Sequence, residues 1–368
     1  MWNWAMWKRA TKANRREFLA GVAATSMVAA FPSMTKAARR PLLKVPAEHD
    51  PHALTFMQWP ISRKVHSDPV FLGMLQQSIA TVANAIVEFE PVVMLADGRL
   101  HGPISKRLDK RVELWDIPTE DLWARDSGPL FAKDQNGKLV VSHIQFNGWG
   151  NKQIHNKDGL IAQRVAERLN LDVVPAAVIG EAGGVEHNGD DLLIAHESSW
   201  VNDNRNPGLQ RSIIGDRLKD AYGASRIIWS EGVYDEDITD YHIDSLVRFT
   251  DRRRAIINLP VTPDPDDPFH AAALETERTL RAAGLELEVI PEPEFRRVKS
   301  LGFVASYANF YVCNGAVIMA EFGDKETDSQ AVDALQRHFP GREIVALNID
   351  PIGEVGGGIH CATQQMPA

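Results

Sequence analysis

Three features of the sequence predict an α/β fold. Short β-type runs recur along most of its length, amphipathic helical stretches separate several of them, and no linker-like segment divides the series. The chain has 368 residues, 44% of them hydrophobic, with 26 Gly and 21 Pro. That is apolar material for a large core, and it excludes a disordered chain or a collagen-like fibre. With only two cysteines, a small disulfide-built scaffold is excluded as well.

Residues 1–40 read as a leader rather than as part of that fold. They carry Lys8, Arg9, Lys12, Arg15, Arg16, Lys36, Arg39 and Arg40 against a single acid, Glu17. Within NRREFLAGVAATSMVAAF (14–31) an arginine pair stands directly before an Ala-rich apolar run, the layout of a cleavable export signal, and it resembles a twin-arginine (Tat) signal. The run is shorter than the ~20 apolar residues that span a bilayer as a helix. The expectation is therefore a periplasmic or extracellular protein with no membrane association once the leader is removed; a cytoplasmic protein with a basic tail is the alternative. No clear cleavage triplet precedes Ala38.

Residues 41–368 are expected to form a single domain. Setting aside the leader leaves 32 bases against 48 acids, a net of −16, where the whole chain carries −9. Such a surface favours cationic small molecules or basic peptides and disfavours nucleic acid. The β-type runs are PVVML (91–95), KLVVSHIQF (138–146), LDVVPAAVI (171–179), DLLIAH (191–196), RAIINLPV (254–261) and NGAVIMAEF (314–322). Helical spacing near 3.6 appears in FLGMLQQSIATVANAIVEF (71–89), GLIAQRVAERL (159–169), ALETERTLRAAG (273–284) and SQAVDALQRHF (329–339). The strand-like GLEL and FPGREIVALNI follow the last two helices. Periodicity does not distinguish one twisted sheet from a ring of small ones.

Three groups of residues could carry chemistry. Cys361 follows three glycines, Gly356, Gly357 and Gly358, and stands beside His360; such a loop can bring a backbone close to a ligand, and a lone cysteine there reads as a reactive thiolate. Cys313 lies in an apolar, strand-like setting where a buried, inert thiol is expected, and a Cys313–Cys361 disulfide is the alternative for an exported chain. In DITDYHIDSLVRF (237–249), His242 and Asp244 would share one face of a strand, where the carboxylate could hold the histidine charged for use as a general acid. A metal site lacks a convincing set of further ligands. In DLWARDSGPLF (121–131), Trp123 and Asp126 could grip a planar cation by stacking and charge, or Arg125 and Asp126 could form an ordinary ion pair.

These segments together carry a resemblance. WARDSGPLF, FNGWGNK (146–152), the EAGG turn (181–184), NDNRNP (202–207), TDYHIDSLVRF, SYANFYVCNGAVI, FPGREIV and GGGIHCATQQMPA occur in order, and from MQWP (57–60) to the last residue the chain resembles the agmatine deiminase / Porphyromonas-type peptidyl-arginine deiminase family. The resemblance implies a pentein fold, a five-bladed pseudosymmetric α/β propeller of ββαβ-like modules. It implies Cys361 as nucleophile, His242 as acid and base, and Asp126 and Asp244 as guanidinium-gripping carboxylates, with no metal or organic cofactor. Trp123 would wall the pocket and Gly358 would admit substrate, while Glu181 and Asn147 would bind substrate or support the site. The implied partner is a small cationic guanidine or an arginine-containing peptide, and the resemblance leaves room for a homo-oligomer. Two positions depart from the family's habit: Tyr241, where Gly is common, and Ile238, near which agmatine-using members often carry an acid. Three readings follow: deimination of agmatine, deimination of free or peptidyl arginine, and an exported protein that binds a guanidinium without turning it over.

Overall fold

The computed structural model describes residues 42–300 and 302–368; the proposed leader lies outside them. In chain order the strands are β1 (Leu43–Lys44), β2 (His52–Gln58), β3 (Val92–Ala96), β4 (Glu113–Asp116), β5 (Leu130–Asp134), β6 (Leu139–Gln145), β7 (Asp172–Ile179), β8 (Val185–His187) and β9 (Leu192–His196). They continue as β10 (Arg226–Ser230), β11 (Val247–Phe249), β12 (Arg254–Leu259), β13 (Glu286–Pro291), β14 (Tyr311–Val312), β15 (Ala316–Ala320), β16 (Glu343–Leu347) and β17 (Thr363–Pro367). All six predicted runs are strands. The four predicted helices are present as Pro69–Ile86, Ile161–Leu169, Pro268–Ala282 and Lys325–His338. A fifth, Arg211–Tyr222, was not expected; its polar sequence carries a weak apolar stripe.

Local chemistry accounts for the helix boundaries. Asp68 accepts hydrogen bonds from the backbone N–H of Val70 (2.8 Å) and Phe71 (3.4 Å), and Pro69 follows it in the first turn. Asp267 with Pro268 repeats the device at the next long helix, accepting from Phe269 N at 2.8 Å. Asn170 and Gly223 end their helices in the left-handed conformation. Strands β3 and β15 are buried throughout, as continuous apolar runs covered on both faces should be.

The strands form five separate sheets, and one pattern recurs in them. An antiparallel pair is followed by a helix and then a strand parallel to the second member. This describes β5–β6 with β7, β8–β9 with β10, β11–β12 with β13, and β14–β15 with β16. The fifth instance joins distant parts of the chain. Strand β17 pairs antiparallel with β2, which is parallel to β3 across the helix Pro69–Ile86. Strand β1 adds an edge beside β5, and β4 adds one beside β3.

The pattern has a consequence for position. The segment just before the first strand of each pair is a tight turn or loop, and those segments carry Asp126 (before β5), Gly183 (before β8), Asp244 (before β11), Asn309 (before β14) and Cys361 (before β17). Hydrogen bonds and close approaches between these five segments bring them to one place, although the chain separates them widely.

Candidate active site

Cys361 is buried and unpaired, as is Cys313, so the disulfide alternative is overturned. The Cys361 sulfur receives an N–H from Asn309 Nδ2 at 3.1 Å and lies 3.4 Å from Asp244 Oδ2, to which the thiol can donate. Burial, with Asp244 and Asp126 nearby, pushes this thiol well above its ordinary range. Cys313 is buried beside Glu90 and is pushed up to about 12, the inert group expected of its setting.

Asp244 is fully buried, and its Oδ2 also accepts from His360 Nδ1 at 2.7 Å. Its Oδ1 is buried with no hydrogen-bond partner among the described residues. Burial opposes the charge, yet His360, His242 and Arg248 hold the carboxyl below its ordinary range. An ionised carboxylate oxygen with an empty coordination sphere in a buried site is costly unless a cation arrives.

His242 was expected beside Asp244 on a strand. Both instead lie on a turn, His242 at the entry to the single 3₁₀ turn Ile243–Ser245, and the turn delivers both to the site without strand alternation. The ring donates Nε2–H to Glu181 Oε2 at 3.1 Å, and Nδ1 lies 3.7 Å from Asp126 Oδ1. Burial works against its charge, but Asp126, Glu181 and Asp244 outweigh it and hold the imidazolium up at about 9. Glu181 is fixed in turn by Arg205, whose Nε reaches its two oxygens at 3.0 and 2.9 Å, and burial notwithstanding it stays below its ordinary range. Arg205 also grips Asp240 Oδ2 at 2.7 Å, strapping down the loop that precedes His242.

Asp126 comes from the four-residue turn Ala124–Ser127. Trp149 Nε1 donates to its Oδ2 at 2.9 Å and the Gly183 N–H to its Oδ1 at 3.3 Å. Burial, with Glu181 and Asp244 close by, raises it to about 6 against the pull of His242 and Trp149. Its neighbour Arg125 does not pair with it. Arg125 turns the other way, to Glu48 Oε2 at 3.0 Å and Gln365 Oε1 at 2.9 Å, which removes the ordinary ion pair considered above.

Gly183 stands where three of these groups converge. A Cβ there would lie 2.6 Å from Asp126 Oδ1, 2.9 Å from His242 Nδ1 and 3.2 Å from Asp244 Oδ2. Only the absence of a side chain lets them close on one another. The glycines before Cys361 have a comparable task. Trp123 packs against Gly357, and Asn309 Oδ1 occupies the place of a Cβ on Gly358, at 2.5 Å. Gly358 thus admits the Asn309 side chain that holds the sulfur. The side-chain hydrogen bonds of Asn147 stay within its own and a neighbouring loop. Its Oδ1 accepts from Gly150 N at 2.8 Å and its Nδ2 donates to the Asn204 carbonyl at 3.1 Å. It shapes the left-handed turn that aims Trp149 at Asp126.

Sequence reasoning did not single out Asn309, Trp149, Gly183 or Arg205, although each lies in a segment quoted for the resemblance. Among the described residues no group of three His, Cys, Asp or Glu side chains is placed to hold a metal ion, and no helix is long and apolar enough to cross a membrane.

What the arrangement can do follows from its charges. Two buried carboxylates, a histidine kept cationic and a thiol face one another in a nearly closed site, a setting suited to a planar cation and nucleophilic attack upon it. The chain is 32% identical to a Mycoplasma capricolum protein named "Putative agmatine deiminase", over 88% of this chain and 95% of that one. A cysteine-to-serine variant of the C. jejuni agmatine deiminase with substrate bound superposes with a TM-score of 0.81 at 25% identity, covering 91% of this chain and 99% of that one. The Enterococcus faecalis agmatine deiminase shares the fold, with a TM-score of 0.80 at 24% identity and the same coverage. The model of the Porphyromonas-type peptidyl-arginine deiminase family matches residues 44–367, and the chain belongs to that family.

Proposed function

We propose that the protein is a hydrolase that deiminates a guanidinium substrate through a covalent cysteine intermediate, with agmatine, giving N-carbamoylputrescine and ammonia, as its substrate. The observation that carries this reading is the partnerless, buried Oδ1 of Asp244 on the carboxylate whose other oxygen lies 3.4 Å from the Cys361 sulfur. A cation drawn to that oxygen is held in front of the nucleophile. The names of the relatives above support agmatine.

The chemistry follows from the electrostatics. A guanidinium between Asp126 and Asp244 neutralises the two carboxylates that keep the thiol protonated, so substrate binding itself brings the Cys361 thiol down toward ionisation. The thiol releases its proton to solvent, and the thiolate attacks the central carbon, forming a C–S bond while the C–N π electrons move onto nitrogen. His242, with Glu181 on Nε2, presents Nδ1 to the site and gives its proton to the departing nitrogen. The C–N bond breaks, ammonia leaves, and a cationic S-alkylthiouronium remains on the cysteine. His242, now neutral, takes a proton from water as that water attacks the same carbon. The C–S bond breaks with the sulfur keeping the electron pair, the remaining hydroxyl proton returns to the sulfur or to solvent, and the neutral ureido product leaves.

The recurrent pattern of strands supports a five-bladed pentein propeller for residues 41–368, with one turn of each module facing a central site and β17 closing the ring on β2. Deimination of free or peptidyl arginine is the second reading. It is favoured by apolar Ile238, which packs against the cluster containing Trp123 and Trp149 and offers no charge to an amine.

The test is ureido-product formation from agmatine, free arginine and an arginine peptide by the protein lacking residues 1–40. Agmatine should be the substrate turned over, and Cys361→Ser should lose at least about 10⁴-fold. Preferential turnover of the peptide would replace agmatine, and residual full activity in Cys361→Ser would refute the mechanism. We read residues 1–40 as a Tat leader that directs the protein out of the cytoplasm. A reporter fused to it should be exported, and Arg15→Lys with Arg16→Lys should retain it inside; export indifferent to that pair would refute the assignment.

A further inference from the structure

Behind Asp244 lies a second buried group of charges that the proposed mechanism does not use. Glu48, from the segment just before β2, accepts three hydrogen bonds and has the His360 ring against it. Arg248 Nη2 (2.7 Å) and Val312 N (2.9 Å) reach Oε1, while Arg125 Nη2 (3.0 Å) and His360 Nε2 (3.0 Å) reach Oε2. The other ring nitrogen of His360 is the one bonded to Asp244 Oδ2 at 2.7 Å. A single imidazole therefore bridges a carboxylate saturated with donors and the carboxylate proposed to grip substrate. We propose that Glu48 and His360 are positioning residues for Asp244, fixing its carboxylate so that Oδ1 alone faces the guanidinium, and that the segment before β2 thereby completes the site.

The geometry supports each link. A carboxylate on a free torsion can present either oxygen to a ligand. Here Oδ2 is taken by His360 and the sulfur, and Oδ1 is left over. His360 cannot swing away, because its far nitrogen meets Glu48, whose other partners are Arg125 in the turn before β5, Arg248 on β11 and Val312 on β14. The segment carrying Glu48 is seated as well. Ala47 fills the space a side chain at Gly189 would need, and the Glu48 carbonyl accepts from His52 Nε2 at 2.7 Å. The same anchor reaches the other carboxylate's turn, since the Arg125 N–H donates to the Cys361 carbonyl at 3.1 Å and Arg125 is the neighbour of Asp126. Holding reacting groups to within a fraction of an ångström is worth orders of magnitude in rate.

This inference rests on the deiminase reading, and the experiment separates the two. His360→Asn can still donate to Asp244 but cannot span to Glu48, so kcat/KM for agmatine should fall about 100-fold, with KM rising and kcat falling. Glu48→Gln, which keeps the shape and removes the charge, should fall about tenfold. Alkylation of Cys361 by iodoacetamide, a neutral reagent that needs no carboxylate to bind, should be retained in both, within a few-fold of the wild-type rate. In the Cys361→Ser background, His360→Asn should weaken agmatine binding by a similar factor to the rise in KM. Wild-type kcat/KM in folded His360→Asn would overturn the proposal. So would equal losses of turnover and alkylation in both variants, because those report a collapsed pocket. If the wild-type protein turns over no guanidine, the deiminase reading fails, and agmatine affinity with and without His360→Asn still decides the positioning role.

Discussion

Two histidines flank this site, each with a carboxylate at either ring nitrogen, and they are tuned in opposite directions. His242 sits between Glu181 at 3.1 Å and Asp126 at 3.7 Å and is held up at about 9. His360 sits closer to its pair, Asp244 at 2.7 Å and Glu48 at 3.0 Å, yet its pKa lies below the ordinary value. Burial depresses both. The difference is the guanidinium pair Arg125 and Arg248, which press on His360 and share its carboxylate, whereas three acids face His242. Counting ion-pair contacts does not predict the charge of a buried ring; the whole neighbourhood does. One histidine is equipped to carry a proton and the other to hold a position.

The contrast is broken most severely by removing the proton carrier. His242→Asn should lower kcat about 10³-fold and leave no alkaline limb in the pH profile of what activity remains, while His360→Asn retains that limb. In the wild-type protein kcat/KM should fall above about pH 9, where His242 loses its proton, and below about pH 6, where Asp126 gains one and releases its hold on the cation. A profile flat from 5 to 10 would remove His242 from the acid role. A smaller effect sharpens the comparison. Gly183→Ala places a methyl group against Asp126, His242 and Asp244 without touching Glu48 or His360, and should cost about 10²-fold in turnover. The far cluster should be unaffected, so a large fall in thermal stability would count against the local account.

The parts of this molecule that could be read from its sequence are those whose pattern is local. Runs such as PVVML and NGAVIMAEF became fully buried strands because continuous apolarity leaves few other outcomes. Strand β17 had no such signal. Thr363, Gln364 and Gln365 are polar and buried, placed by pairing with β2 rather than by hydropathy. The helix Arg211–Tyr222 is too polar to announce itself, and its covered face shows in the burial of Ile214, Gly215, Leu218, Ala221 and Tyr222. At the site, Cys361, His242, Asp126 and Asp244 were visible through their motifs, and the fold brings them together. Asn309 lay within a quoted motif but was overshadowed by Cys313, four residues on. Glu48 had no motif at all. Its importance comes from Arg248 and His360, groups far along the chain that no window around residue 48 contains. Tyr241 illustrates the reverse. Its φ of 65° explains why glycine suits that position, and its ring stacks on His196 at 4.7 Å instead of entering the site.

The pairing of β17 with β2 also sets an order of events. Synthesis delivers Glu48 among the first residues of the domain and Cys361 among the last, after the acid, the base and both arginines of the inner cluster already exist. A nascent chain therefore carries its carboxylates before it has either the imidazole that lies between two of them or the sulfur beside them. The contact that installs the sulfur is also the most non-local one, and contacts of that kind form late and slowly. A ribosome stalled before the final segment would leave Asp244 and Glu48 without the imidazole that lies between them, as well as without the sulfur.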